Sequence, residues 1–276
     1  GTPWSAASIA ALSQAMADTL ASETLDDAFK ALALSLPDES LIGRRIGQDI
    51  DPAKIHAMRQ QLLTAVFEPL GRQMLAAYNS LASSDPYAPD PASTGRRSLR
   101  NKLLGLLVAS EAAGAATLAS QQYAGATNMT DRLAALAALV HASAPEAAGI
   151  LADFRTRFGA DPLVLDKWLA VTATAPRDGV IEDMAAILAD PGFPKTNPNR
   201  LRALMGTFAM ANPTQFTRAD GAGFRFVADF VAEVDKINPQ VAARVLTGFR
   251  IWPMLESGRR EAAQAALTDL QGSGTL

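Results

Sequence analysis

Three polar side chains in the last third of the chain have the types and spacing to bind, though not to react. Gln240 and Arg244 are four residues apart, so on a helix they stand one turn apart on a single ridge that ends in Gly248. A guanidinium beside a primary amide, backed by glycine, suits a carboxylate and a peptide amide. Arg202 belongs to a second helix and shares its flank with Gly206 and Ala209, a thin surface that leaves room for another body. The alternative for all three is solvated surface, or pairing with Asp and Glu of neighbouring helices. Pattern alone favours that alternative.

No reactive set stands beside them. The two histidines, His56 and His141, have no His-Glu-x-x-His arrangement and no carboxylate at metal-ligand spacing, so they read as ordinary helix residues. No Gly-x-Ser-x-Gly elbow or phosphate-cradling loop occurs. Gly221-Ala-Gly223 reads as a tight turn into the helix headed by Phe224. The expectation is therefore no catalytic and no metal-binding residue in this chain.

The elements that must carry these side chains announce themselves by their starts. Asn197-Pro198, Asn212-Pro213 and Asn238-Pro239 each pair a residue that caps orphan N–H groups with a proline that loses nothing at the first helical position. Asp51-Pro52 and Asp161-Pro162 follow the same rule. Apolar periodicity predicts helices over 5–20, 23–34, 40–46 and 52–81, the last kinked or divided at Pro69. Further helices are expected over 98–111, 113–123, 128–140, 144–158, 162–173, 177–189, 198–211, 221–236, 239–251 and 259–270. Between them, Ala82 to Gly95 is the clearest loop, with Tyr87 to pin it. Asn128-Met-Thr-Asp131 reads as a capping box before it reads as a glycosylation sequon. Helices this short, in series, make an all-α architecture, a solenoid or a compact bundle; the reading adopted is an irregular α-solenoid or superhelix of antiparallel helices, HEAT- or armadillo-like and without an exact repeat. The expected organisation is one helical domain over 1–276 with a loop at about 82–97.

Bulk properties agree and exclude several classes. The chain is 49% hydrophobic and 19% charged, a globular balance with ample core, and its 6% aromatic content leaves packing to alanine and leucine. A net charge of -3 does not suit a nucleic-acid binder. The densest apolar segment, Leu103 to Ala109, is far too short to span a bilayer, so no membrane partner is expected. The lack of cysteine excludes disulfides and thiolate zinc sites and fits a reducing, cytoplasmic setting. No signal peptide is visible, and a start at Gly1-Thr2 without Met suggests a piece of something longer.

Four segments carry a family resemblance: Asn128-Met-Thr-Asp-Arg-Leu-Ala-Ala-Leu, Val164-Leu-Asp-Lys-Trp-Leu169, Asn197-Pro-Asn-Arg-Leu-Arg202 and Asn238-Pro-Gln-Val-Ala-Ala-Arg244. In this order they resemble the C-terminal helical domain of bacterial aminopeptidase N, a gluzincin-type zinc aminopeptidase. The likeness runs from about Asn128 to about Leu270, is fainter from Leu36 to Leu81, and is weak before that. The family pattern continues about one helix past Leu276, which leaves the packing of Gly272 to Leu276 open. The resemblance implies a bowl that closes over a separate catalytic domain of the same polypeptide and gates the entry of peptides. Zinc and the general base would belong to that other domain, so no cofactor is expected here and this piece alone would be inactive. The resemblance also implies that Arg202, Gln240 and Arg244 face the enclosed chamber and meet the C-terminal side of a bound peptide. A reading from a different class is a free-standing HEAT-like scaffold that binds a protein partner.

Overall fold

The computed structural model describes residues 4–272. In chain order the helices are α1 (Ala6–Ala21), α2 (Asp27–Ala33), α3 (Glu39–Ile46), α4 (Pro52–Phe67), α5 (Gly71–Ser80), α6 (Pro91–Ala109), α7 (Ala115–Gly125), α8 (Met129–His141) and α9 (Ala147–Phe158). They continue as α10 (Pro162–Ala173), α11 (Val180–Ala189), α12 (Pro198–Leu201), α13 (Thr207–Ala211), α14 (Pro213–Phe216), α15 (Ala222–Asp235), α16 (Pro239–Leu246) and α17 (Ser257–Gly272). A 3-10 turn at Glu68–Leu70 divides α4 from α5 where Pro69 predicts a break. A π-helical turn, Arg202–Gly206, joins α12 to α13, and a 3-10 stretch, Thr247–Met254, extends α16. Among the described residues there is no strand, only an isolated parallel bridge between Ile50 and Leu255.

Capping explains where the helices begin. Side chains of Asp161, Asn197, Asn212 and Asn238 each accept a backbone N–H of the first turn, with proline following. Asp51 does the same for α4, taking Lys54 N–H at 3.1 Å. Asn128 Oδ1 accepts Asp131 N–H at 2.9 Å, the cap half of the expected box; the return bond runs from the Asn128 side-chain amide, not its backbone N–H, to the Asp131 carboxylate at 2.9 Å. The boundary at the long loop differs from expectation. Asp90 accepts Ser93 N–H and Pro91 follows, so α6 starts at residue 91 and the loop is 82–90. The first turns of α6 are polar, so they lack the apolar periodicity that marks a helix. Tyr87 remains exposed; it is held by stacking on the Arg97 guanidinium, 4.5 Å from the ring centre, rather than by burial.

The chain divides into two compact units: 1–37 with 57–150, and 38–56 with 151–276. In the first, α6 is the axis and packs against α2, α5, α7 and α8. It buries Leu99, Leu103, Leu104, Leu106, Leu107 and Val108, at about 1.5–3 kcal/mol for each side chain removed from water. Gly95 lets it approach α2 closely: a Cβ there would lie 3.2 Å from Ala28 N. Polar groups inside this unit form a relay of neutral side chains that begins at Arg100, whose Nη2 donates to Tyr78 OH at 2.9 Å. Tyr78 OH donates to Gln122 at 2.8 Å, and the Gln122 amide donates to Asn101 (2.8 Å) and to the Asp131 carbonyl (2.9 Å).

In the second unit alternate helices run parallel. Arg200 at the start of α12 pairs with Asp166 at the start of α10, and Asn212, just past α13, donates to Ala173 O and Ala175 O at the end of α10. Beyond α13, Gly248 of the 3-10 stretch abuts Ala209, a Cβ at 248 lying only 2.7 Å from Ala209 Cβ. Helix α15 packs against α16 and α17. The core is a set of phenylalanines, Phe216 standing edge-on to Phe224 (5.1 Å) and Phe249 (5.2 Å). Residues 38–56 join this unit through Ile50, whose N–H donates to Met254 O and whose carbonyl accepts Glu256 N–H, both at 2.9 Å.

Candidate functional site

Arg202, Gln240 and Arg244 all belong to the second unit, and all three are exposed. Their helices are neighbours. The π-turn headed by Arg202 packs against α16, which carries Gln240 and Arg244, while Ala209 meets Gly248 further along. Both helices are thus laid side by side in the same direction; Arg202 and Gln240 lie at their N-terminal ends, and Arg244 lies in the last turn of α16.

The thin flank of Gly206 and Ala209 has a different use from the expected one. Both residues are buried, and the body that approaches Ala209 is Gly248 of the 3-10 stretch that extends α16. Ala209 and Gly248 set the spacing of the two helices, whereas a Cβ at Gly206 would meet only Arg202 of its own helix, at 3.8 Å.

The two arginines are held differently. Arg202 folds back along its helix: Nε donates to Pro198 O at 3.1 Å and Nη2 to Asn199 Oδ1 at 2.7 Å. Its own carbonyl accepts Thr207 N–H five residues on, the signature of the π-turn. The Arg244 and Gln240 side chains make no hydrogen bond or ion pair with the described residues. Among the described residues none of the three is paired with an acid of a neighbouring helix, and Gln240 and Arg244 stand as solvated surface.

The motif residues on either side are structural. Arg200, 5% exposed, is neutralised by Asp166, and the Trp168 indole N–H donates to Leu151 O at 3.0 Å. These contacts lock α9, α10 and α12 together. Gly221 takes a positive φ of 72° at the turn into α15, and Gly223 sits against the carbonyl oxygens of Gln215 and Phe216. Gly221-Ala-Gly223 is therefore a tight turn, as read from the sequence.

Histidines do not assemble a metal centre. His56 Nδ1 lies 2.7 Å from Glu39 Oε1, and His141 is an exposed residue at the end of α8. Among the described residues no three His, Cys, Asp or Glu side chains converge as metal ligands. These residues do not fit a zinc site. Nor is any described helix long and apolar enough to cross a membrane.

Paired helices with their alternate members parallel define an ARM-type array, here with Arg202, Gln240 and Arg244 exposed on two adjacent helices. The chain belongs to the family described as a domain of unknown function (DUF3458_C) with ARM repeats, which matches residues 4–276. It corresponds to the C-terminal region of aminopeptidase N. It is 34% identical over 257 residues to aminopeptidase N of Escherichia coli, covering 93% of this chain and 29% of that protein. It is 36% identical over 240 residues to aminopeptidase N of Caulobacter vibrioides, covering 86% and 28%. The fold is similar to part of Legionella pneumophila aminopeptidase A, solved in complex with aspartic acid, with a TM-score of 0.85 at 24% identity over 98% of this chain and 32% of that one. The chain spans less than a third of the length of the relatives it matches.

Proposed function

We propose that this chain is the non-catalytic C-terminal domain of a zinc-dependent aminopeptidase N that works in the cytoplasm. In this reading it covers the catalytic domain of the same polypeptide, restricts the active-site chamber to peptides, and binds the C-terminal side of the peptide whose first residue is removed. The observation that carries it is the 34–36% identity to aminopeptidase N over most of this chain and under a third of those proteins. Zinc and the reacting groups then belong to the remainder of the polypeptide. Excluding bulk water strengthens every electrostatic contact made in such a chamber.

Arg202 and Arg244 attract the peptide carboxylate, and Gln240 contacts the residue after the scissile bond. A hydrogen bond to a charged group contributes about 1.5–3 kcal/mol, or roughly one to two decades in binding. In the full-length gene product, Arg244→Ala is expected to raise KM for short peptides by about tenfold, with little change on a chromogenic aminoacyl amide that has no carboxylate. Steady-state kinetics on both substrates check this. Equal losses on the two would remove Arg244 from the carboxylate site. A full-length product without zinc or aminopeptidase activity would favour a protein-binding scaffold instead.

A further inference from the structure

The two arginines of the trio differ in one respect that the proposed function does not use: Arg202 is clasped, Arg244 is not. We infer that Asn199 is a positioning residue for Arg202, and that together with the Pro198 carbonyl it fixes the guanidinium in advance as the rigid anchor for a peptide C-terminal carboxylate. This rests on the reading that Arg202 meets that carboxylate.

A guanidinium has five N–H groups in one plane. Two of Arg202's are committed within its own first turn, Nε–H to Pro198 O and one Nη2–H to Asn199 Oδ1. Two acceptors on different groups define the plane and leave three N–H groups of the fork for a ligand. The platform beneath is equally fixed. Asn197 caps the turn through Asn199 N–H at 3.0 Å, and buried Arg200 is tied to Asp166. The π-turn that Arg202 heads is closed by Thr207. Ordering a long side chain before the ligand arrives removes an entropy cost of about 0.5–1.5 kcal/mol from binding. Arg244, with no such partners, bears that cost when it binds and is free to follow peptides of different length.

Asn199 is exposed, and its backbone N–H rather than its side chain takes the cap bond, so shortening the side chain spares the fold. The test uses the full-length gene product with a tripeptide and its C-terminal amide, and reads the ratio of KM for the free acid to KM for the amide. Asn199→Ala should raise that ratio about threefold to tenfold, less than Arg202→Ala does, and add nothing on an Arg202→Ala background. If Arg202→Ala raises the ratio but Asn199→Ala does not, or if the two effects add independently, the positioning role is overturned while the carboxylate reading stands. If Arg202→Ala leaves the ratio unchanged, the carboxylate reading falls and the inference with it.

Discussion

The two units bury their polar groups in contrasting ways. In the first, charges are kept apart by a relay of neutral side chains, Tyr78, Gln122 and Asn101, with Arg100 donating to Tyr78 OH at one end (2.9 Å) and the Asp131 carboxylate accepting from Asn101 at the other (2.8 Å). In the second, buried cations meet carboxylates. Arg259, 8% exposed, donates to Thr217 O at 2.7 Å and lies 3.0 Å from Glu256 and 3.1 Å from Asp51. Gly223 and Gly248 there press elements closer than Gly95 does in the axial helix of the first unit, and Gly105 of that helix has open space where a Cβ would stand. Neutral relays lose one hydrogen bond at a time, but a buried ion pair cut on one side leaves a bare charge. The unit that carries Arg202, Gln240 and Arg244 is thus the one built to resist small displacements, which is what a binding constellation asks of its support.

The largest expected effect tests that contrast directly. Arg259→Met removes the cation that joins Asp51, Glu256 and the Thr217 carbonyl; the part-exposed carboxylates rehydrate but the buried carbonyl is orphaned, and the change should cost about 3 kcal/mol of stability. Urea denaturation followed by circular dichroism measures it. A loss below about 1 kcal/mol would mean that the second unit does not depend on its ion pairs.

Next come two glycines expected to give opposite signs. Gly223→Ala drives a methyl into the backbone oxygens of Gln215 and Phe216, which can yield only by moving α14 and α15 apart, and should cost about 3 kcal/mol. Gly105→Ala meets nothing within 4 Å and should gain about 0.5–1 kcal/mol, because glycine is a poor residue in a helix interior. Comparable losses at both positions would dissolve the difference in packing between the units.

What the sequence made legible was local. Asn-Pro and Asp-Pro starts were read correctly at residues 51, 161, 197, 212 and 238 because a cap depends on three or four consecutive residues. Asp90-Pro91 carries the same signature, but the polar turns after it concealed the helix. Arg202, Gln240 and Arg244 were legible as exposed polar positions on two helices, and the resemblance singled them out. Beyond reach were contacts between residues distant in sequence. Nothing near Ile50 announces its bridge to Leu255, and nothing near Arg259 announces Asp51. The π-turn was equally hidden, since it is a slip in hydrogen-bond register rather than a pattern of side chains. For the same reason Ala209 and Gly248 were readable as small residues on two faces, but not as each other's partner.

The smallest effect concerns titration, and it separates the relay from its surroundings. Burial pushes the Tyr78 phenol above its usual range; Arg100 opposes the rise and Asp131 adds to it. The unfolded chain ionises this tyrosine from about pH 10, while the folded chain holds the proton longer. Folded Tyr78 thus binds more protons than unfolded Tyr78 in that window, and its contribution to stability is lost as pH rises. Lys102 in the same unit works in the other direction: burial first, and then the nearby Arg59, lowers its pKa, so the unfolded chain binds more protons there and stability rises with pH. The net alkaline slope mixes the two, but the difference between the wild type and Tyr78→Phe isolates the phenol. The wild type should lose its advantage over Tyr78→Phe as pH climbs past about 10, in urea midpoints taken at intervals from pH 8 to 11. A difference that stays constant across that range would show that the buried hydroxyl keeps its ordinary acidity, and that the relay around it is wet rather than closed.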